Sequence, residues 1–207
     1  MNLAELYAGL IFDCDGTLTD SMPLHYIAWV KALSLYGMEF PEPRFYAMGG
    51  IPTAKIIQTL SAEQGILVDI EKVEAVKEGF FMESLTKVGP NEPVCQIVRS
   101  HYRRLPMAVA SGGSRSIVID QLESIALATM FDAIVGAEDT LLHKPNPDVF
   151  LEAARRIEIT PRKCLVFEDT DIGIEAACRA GMDYVDVRNL VAGPQKCRRD
   201  RDFKSQI

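Results

Sequence analysis

The sequence predicts an α/β fold: a doubly wound parallel sheet with a helical insertion. Three observations carry that expectation. Five short apolar runs, Ala8–Asp13, Met107–Ser111, Ala133–Ala137, Cys164–Glu168 and Tyr184–Val187, lack strict polar alternation, as strands covered on both faces do. Helical patterns separate the later runs, and strand–helix alternation favours right-handed crossovers in a parallel sheet. Residues 14–106 lie between the first run and the second, far more than one crossover needs.

The elements follow in chain order. The first run ends abruptly in Asp13-Cys14-Asp15-Gly16-Thr17. The long interval after it reads as mostly helix: Met22–Tyr36 ending at Gly37, Thr53–Gln64 ending at Gly65, and Ile70–Leu85 after Asp69. Gly and Pro punctuate it at Pro41, Pro43, Gly49-Gly50, Pro52 and Gly89-Pro90, as expected of turns. A last helix, about 92–104, leads back to the sheet. Residues 20–91 are therefore expected as a helical cap, and residues 1–19 with 92–207 as the α/β core. The connections near 19–22 and 87–92 are placed to act as a hinge. Beyond them, "SRSIVIDQLESIAL" follows the second run, "NPDVFLEAARRIEI" the third and "DIGIEAACRAGM" the fourth, the last with Gly181 as a C-cap.

Composition narrows the function classes. The chain has 207 residues, 48% hydrophobic and 25% charged, with a net charge of −7, which disfavours a nucleic-acid partner. No stretch reaches the roughly 18 apolar residues of a membrane helix. The five cysteines, at 14, 95, 164, 178 and 197, are odd in number and form no CxxC pair, so reduced thiols and a cytoplasmic setting are expected. The charged tail "QKCRRDRDFK", Gln195 to Lys204, is expected to be a solvated, frayed terminus.

Chemistry collects where the strands end, as it does in open α/β sheets. Successive strand exits carry Asp13 and Asp15, then Ser111-Gly112-Gly113, then Lys144, then Glu168-Asp169. A carboxylate cluster suits Mg²⁺, which takes one or two carboxylates with waters and phosphate oxygens. A Ser-Gly-Gly turn opening onto a helix offers backbone N–H groups to an anion. A lysine neutralises carboxylate and phosphoryl oxygen alike. Together these groups describe phosphoryl transfer, with Asp13 as nucleophile and Asp15 as acid and base. D-x-D-G alone is weak evidence, arising by chance about once in twenty chains of this length. An EF-hand fails, because its sixth and twelfth positions counted from Asp13 hold Leu18 and Leu24. No GxxxxGK[ST] loop occurs.

These residues resemble the haloacid dehalogenase superfamily, whose core is Rossmann-like. Its DxDGT motif matches Asp13 to Thr17, its Ser/Thr motif Ser111 in "MAVASGGS", its lysine Lys144 in "HKPNPDVF", and its acidic pair Glu168-Asp169 in "LVFEDTDIGIEAACRAGM". The four ordered motifs span residues 8–189. "TDSMPLHYIAW" and the insert are similar to the β-phosphoglucomutase-like subgroup. "GGIPTAKI", "RRLPMAVASG" and "GMDYVDVRNL" look closest to fructose-1-phosphatase-type members. The resemblance implies Mg²⁺ held by Asp13, Asp169 and the Asp15 carbonyl, with Glu168 at or beside the shell. It implies a phosphoryl group held by Ser111, Gly112 and Lys144. It also implies a cap bearing His25 near Asp15, Trp29 one helical turn on, and a substrate loop with Gly49, Gly50, Thr53 and Lys55. Asp20 is expected to fix the hinge loop through backbone hydrogen bonds.

The substrate class implied is a small sugar monophosphate, such as the hexose phosphate fructose 1-phosphate. The resembling mutases carry an Arg in the loop reading "GGIPTAK" here, where this chain has Thr53. Neither Arg44 nor Lys55 matches that position, which lowers the β-phosphoglucomutase-type alternative. A catalytically silent binding protein would show a lost motif residue, and none is lost. A monomer is the default expectation.

Overall fold

The computed structural model describes residues 3–197. In chain order the elements are α1 (Leu3–Leu6), β1 (Gly9–Phe12), β2 (Thr19–Asp20), α2 (Met22–Ser34), α3 (Glu42–Ala47), α4 (Thr53–Gln64) and α5 (Ile70–Met82). Then come β3 (Gly89–Pro90), α6 (Glu92–His101), β4 (Met107–Ala110), α7 (Arg115–Ser124) and β5 (Ala133–Val135). The chain continues through α8 (Asp148–Arg156), β6 (Cys164–Glu168), α9 (Asp171–Arg179) and β7 (Asp183–Asp186). The five predicted strands form one parallel sheet in the order β5-β4-β1-β6-β7. From the central β1 the chain adds β4 and β5 on one side. It then crosses back to add β6 and β7 on the other. That reversal opens a crevice at the carboxyl ends of β1, β4 and β6.

Alternating side chains feed two apolar layers. Leu10, Phe12, Met107, Val109, Leu165 and Phe167 pack against α6 and α7. Ile11, Ala108, Ala110, Cys164 and Val166 pack against α8 and α9. Phe12 and Phe167 stack across β1 and β6 with ring centroids 4.6 Å apart. This double coverage explains why the strands read as continuous apolar runs.

Helices α2–α5 bury a separate apolar cluster that includes Trp29, Leu33, Phe40, Phe45, Ile57 and Leu60. Here α2 and α5 stop at Ser34 and Met82, short of the expected Tyr36 and Leu85. Helix α3 was not expected, because Pro41 and Pro43 read as breakers. Pro41 is its N-cap residue and Pro43 lies in its first turn, where the missing N–H costs no helical bond. The two connections expected as a hinge are joined: β2 and β3 pair antiparallel, Thr19 with Pro90 and Asp20 with Gly89.

Two expectations fail at the C-terminal end. The thiols are not all free: Cys178 at the end of α9 and Cys197 form a disulfide, while Cys14, Cys95 and Cys164 are free and buried. The tail is not frayed where it begins. Gln195 forms an antiparallel bridge with Tyr184 on the sheet-edge strand β7, and Lys196 pairs with Asp183. The unpaired edge of β7 supplies the donors and acceptors that hold it. The rest of the charged tail, 198–204, lies outside the described residues. Among the described residues no helix is long and apolar enough to cross a membrane.

Candidate active site

The site grows from the strand exits. Asp13 follows the last residue of β1, and its N–H still donates to the Phe167 carbonyl at 3.0 Å. This fixes its side chain at the carboxyl edge beside Glu168, the last residue of β6. Lys144, on the loop before α8, completes a buried triad. Its Nζ donates to Asp13 Oδ1 at 2.6 Å and to Glu168 Oε2 at 2.7 Å. Burial opposes the lysine's charge, but Asp13 and Glu168 outweigh burial, so its pKa is raised and the ammonium persists.

One lysine does not balance the acids present. Asp13, Glu168 and Asp169 each place a carboxylate oxygen within 4.8 Å of the others. Burial, and then the Glu168 charge, push Asp169 up to about 7. Burial also raises Asp13 well above the ordinary carboxylate range; Lys144 opposes that shift, and Glu168 and Asp169 reinforce it. An all-oxygen donor set with surplus negative charge fits a hard cation such as Mg²⁺. Within the set Glu168 is already engaged. Its Oε2 accepts from Lys144, and its Oε1 accepts from the N–H groups of Asp169 and Thr170 and from the Thr170 hydroxyl. Asp13 and Asp169 therefore keep the freer oxygens, and Glu168 stands beside them as a brace. Gly16 makes room for this arrangement. It has φ +84°, and a Cβ there would sit 2.2 Å from Asp169 Oδ2.

Asp15 faces the insert. Its Oδ1 accepts from Ser21 Oγ at 2.5 Å, His25 Nε2 at 2.7 Å and Gln121 Nε2 at 3.0 Å. Burial works against the Asp15 carboxylate, but His25 and these donors prevail and hold it below the usual range. Burial also lowers His25, with Asp15 opposing, and facing a carboxylate its Nε2 donates. Its ring stacks on Phe81 at 3.7 Å, and its Nδ1 has no hydrogen-bond partner. Ser111 is buried, and its Oγ accepts from the Gly113 N–H at 3.0 Å.

Asp13, Asp15, Ser111, Gly112 and Glu168 line one pocket. The insert supplies the opposite wall, including His25, Trp29, Gly50 and Thr53. The structure does not bring Lys55 there: it is exposed, on the first turn of α4, and its Nζ bonds Gln58 at 3.1 Å. Arg44 is turned away too, paired with Glu63. Asp20 pairs with Gly89 in the β2–β3 ribbon. Insert and core meet at glycines. A Cβ on Gly112 would lie 2.5 Å from the Gly50 carbonyl oxygen. Gly112→Ala is therefore expected to wedge the pocket open and lower kcat/KM by about 10-fold or more, the scale of a small misplacement. An unchanged kcat/KM in the purified variant would show that this approach is not needed.

Two residues escaped the sequence reading. Lys77 of α5 is 5% exposed and lines the pocket. Its Nζ lies 5.5 Å from the Trp29 ring centroid and 5.7 Å from that of Phe81. Burial lowers its pKa, with Asp15, Glu78 and Glu74 opposing. Gln121 of α7 is fully buried. Each sits on the apolar stripe of its helix, Val73-Lys77-Phe81 and Ile117-Gln121 beside Val118 and Leu122. A polar residue on such a stripe is the signal that marks them.

The chain is similar to known proteins over most of its length. It is 41% identical over 191 residues to the fructose-1-phosphate phosphatase YqaB of Escherichia coli (strain K12), covering 90% of this chain and 99% of that one. It is 27% identical over 180 residues to a phosphorylated carbohydrates phosphatase of Thermotoga maritima, covering 85% and 82%. Its fold matches the crystal structure of a β-phosphoglucomutase from Clostridium difficile with a TM-score of 0.78. That likeness has 21% identity and covers 86% of this chain and 83% of that one, so it speaks to fold alone. The family model for haloacid dehalogenase-like hydrolases matches residues 10–187, from β1 to just past β7 and through every strand exit described above: the chain belongs to that family.

Proposed function

We propose that this protein is a Mg²⁺-dependent phosphatase of a small sugar monophosphate, such as a hexose phosphate of the fructose 1-phosphate type. The observation that carries this reading is the buried Lys144 shared between Asp13 and Glu168, two acids that line a pocket walled by the helical insert. The similarity to a fructose-1-phosphate phosphatase supports the substrate class.

In this mechanism the Asp13 carboxylate attacks phosphorus and forms an aspartyl phosphate. Asp15 enters this step carrying a proton, taken up before Ser21 and His25 close on it, and gives it to the departing sugar oxygen. It then takes a proton from water, which attacks phosphorus and restores Asp13 while inorganic phosphate leaves. The Ser111 hydroxyl, the Gly112 N–H and the Lys144 ammonium hold the phosphoryl oxygens as charge develops on them. Asp13, Asp169 and the Asp15 carbonyl would hold Mg²⁺, braced by Glu168. When bound, the ion supplies positive charge against both the carboxylates and the phosphoryl group. Residues 20–91 act as a cap hinged on the β2–β3 ribbon. The pocket holds about 80 Å³, and opening of the cap would give a sugar phosphate the room to enter.

Charge on the cap side favours hydrolysis over mutase chemistry. A mutase must hold a second phosphate, yet Arg44 and Lys55 lie away from the pocket. Lys77 shares its field with Glu74 and Glu78, and a neighbouring groove is lined by Glu71, Glu74, Glu78 and Glu138. The test is phosphate release from a panel of hexose and pentose phosphates with Mg²⁺. No release by folded protein across the panel would overturn the reading. Conversion of β-glucose 1-phosphate to the 6-phosphate, faster than hydrolysis, would establish the mutase instead.

The acidic cluster adds a prediction. Without a cation, folded Asp169 titrates near 7 against about 3.9 unfolded. The folded state then binds the extra proton, so stability falls as pH rises from about 4 to 7. A cation needs the ionised form. Mg²⁺ is therefore expected to raise the melting midpoint more at pH 8 than at pH 5.5. An equal rise at both pH values would contradict a cation at this cluster.

A further inference from the structure

We propose that Gln121 is a positioning residue for proton transfer: it ties one oxygen of Asp15 to the core and leaves the other to serve the leaving group. The inference rests on the acid role given to Asp15 above. Oδ1 of Asp15 receives three donors, from Ser21, His25 and Gln121. A carboxylate oxygen offers about two lone-pair sites, so Oδ1 is saturated. Oδ2 lies on the side of the Ser111–Gly113 turn, 3.7 Å from where a Cβ on Gly113 would stand.

The three donors are not equivalent. Ser21 and His25 belong to the start of α2 and move with the insert. Gln121 belongs to α7, which packs on the sheet. It is the donor that stays with Asp15 when the insert swings away. The Gln121 amide is itself oriented. Thr19 Oγ1 on hinge strand β2 donates to Gln121 Oε1 at 2.9 Å, which turns the NH₂ end toward the carboxylate. The reverse orientation would set a carbonyl against a carboxylate.

The test compares two leaving groups. A sugar alkoxide needs a proton to depart, whereas dinitrophenolate needs none. kcat/KM reports only steps through that departure. Gln121→Met keeps length and bulk and removes the donor. Thr19 retains an alternative acceptor in the Cys14 carbonyl at 3.2 Å. The variant is expected to lose on the order of 10–100-fold in kcat/KM on a sugar phosphate and much less on dinitrophenyl phosphate. Gln121→Leu, which also removes the donor and introduces no titratable group, should show the same split. Equal losses on both substrates in variants with wild-type melting midpoints would mean a merely structural role and overturn the proposal, as would no loss on either. If Gln121→Met unfolds the protein, Gln121→Leu decides. Wild-type protein inactive on both substrates would sink the phosphatase reading itself, and this inference with it, an outcome distinct from a wild type that shows activity and a variant that shows no split.

Discussion

Asp13→Asn is expected to lower turnover at least about 10⁴-fold, the scale on which removal of a covalent nucleophile acts, with the fold intact. Asn keeps the shape of Asp but has no carboxylate to attack phosphorus. The fold should survive for an electrostatic reason. Asp13 is one of three crowded acids, and burial raises its pKa well above the ordinary range. Losing it leaves Lys144 paired with Glu168 at 2.7 Å. The melting midpoint at pH 8 without Mg²⁺ should therefore not fall. Near wild-type turnover would exclude Asp13 as the nucleophile. A collapsed melting midpoint would show that its role is structural.

Lys144→Met should cost in both rate and stability. Removing a charge partner of the transferring phosphoryl group costs on the order of 10²–10³ in kcat. Breaking a buried ion pair from one side costs about 3–5 kcal/mol, since the side chains of Lys144, Asp13 and Glu168 are only 1%, 7% and 0% exposed. Saturating Mg²⁺ should restore part of the lost stability by screening Asp13, but not the rate. Paired thermal melts and steady-state kinetics check this. Full rate recovery with Mg²⁺ would mean that the lysine only offsets the acids and takes no part in holding the phosphoryl group.

Much of this architecture was legible in the sequence because the sheet is covered on both faces. Double coverage makes β1, β4, β5, β6 and β7 into apolar runs, and polar residues at their ends then stand out. Asp13, Ser111 and Glu168 were visible for that reason, and Lys144 as the lysine in the segment that follows β5. The insert was less legible, since its helices present side chains in directions that one chain does not fix. Lys55 and Lys77 look alike as letters. Only the packing of α5 against α2 turns Lys77 inward over Trp29 and leaves Lys55 with Gln58 on the outer face. Pro41 and Pro43 hid α3 because a helix start and a loop use proline alike. The two-residue strands β2 and β3 are too short to show periodicity. The Cys178–Cys197 bond joins positions 19 apart, and connectivity of that kind does not follow from spacing. Gln121 was hidden by its ordinariness, until Thr19 and Asp15 were seen on either side of it.

The claim at the centre of this account is that the phosphoryl group passes through Asp13. The stereochemical course at phosphorus tests it most directly, with a phosphorothioate ester made chiral by one heavy oxygen isotope, hydrolysed in water of a second, and the released thiophosphate assigned for configuration. Two in-line displacements, first by Asp13 and then by water, predict net retention. Net inversion would mean that water attacks directly, and would contradict the aspartyl-phosphate route.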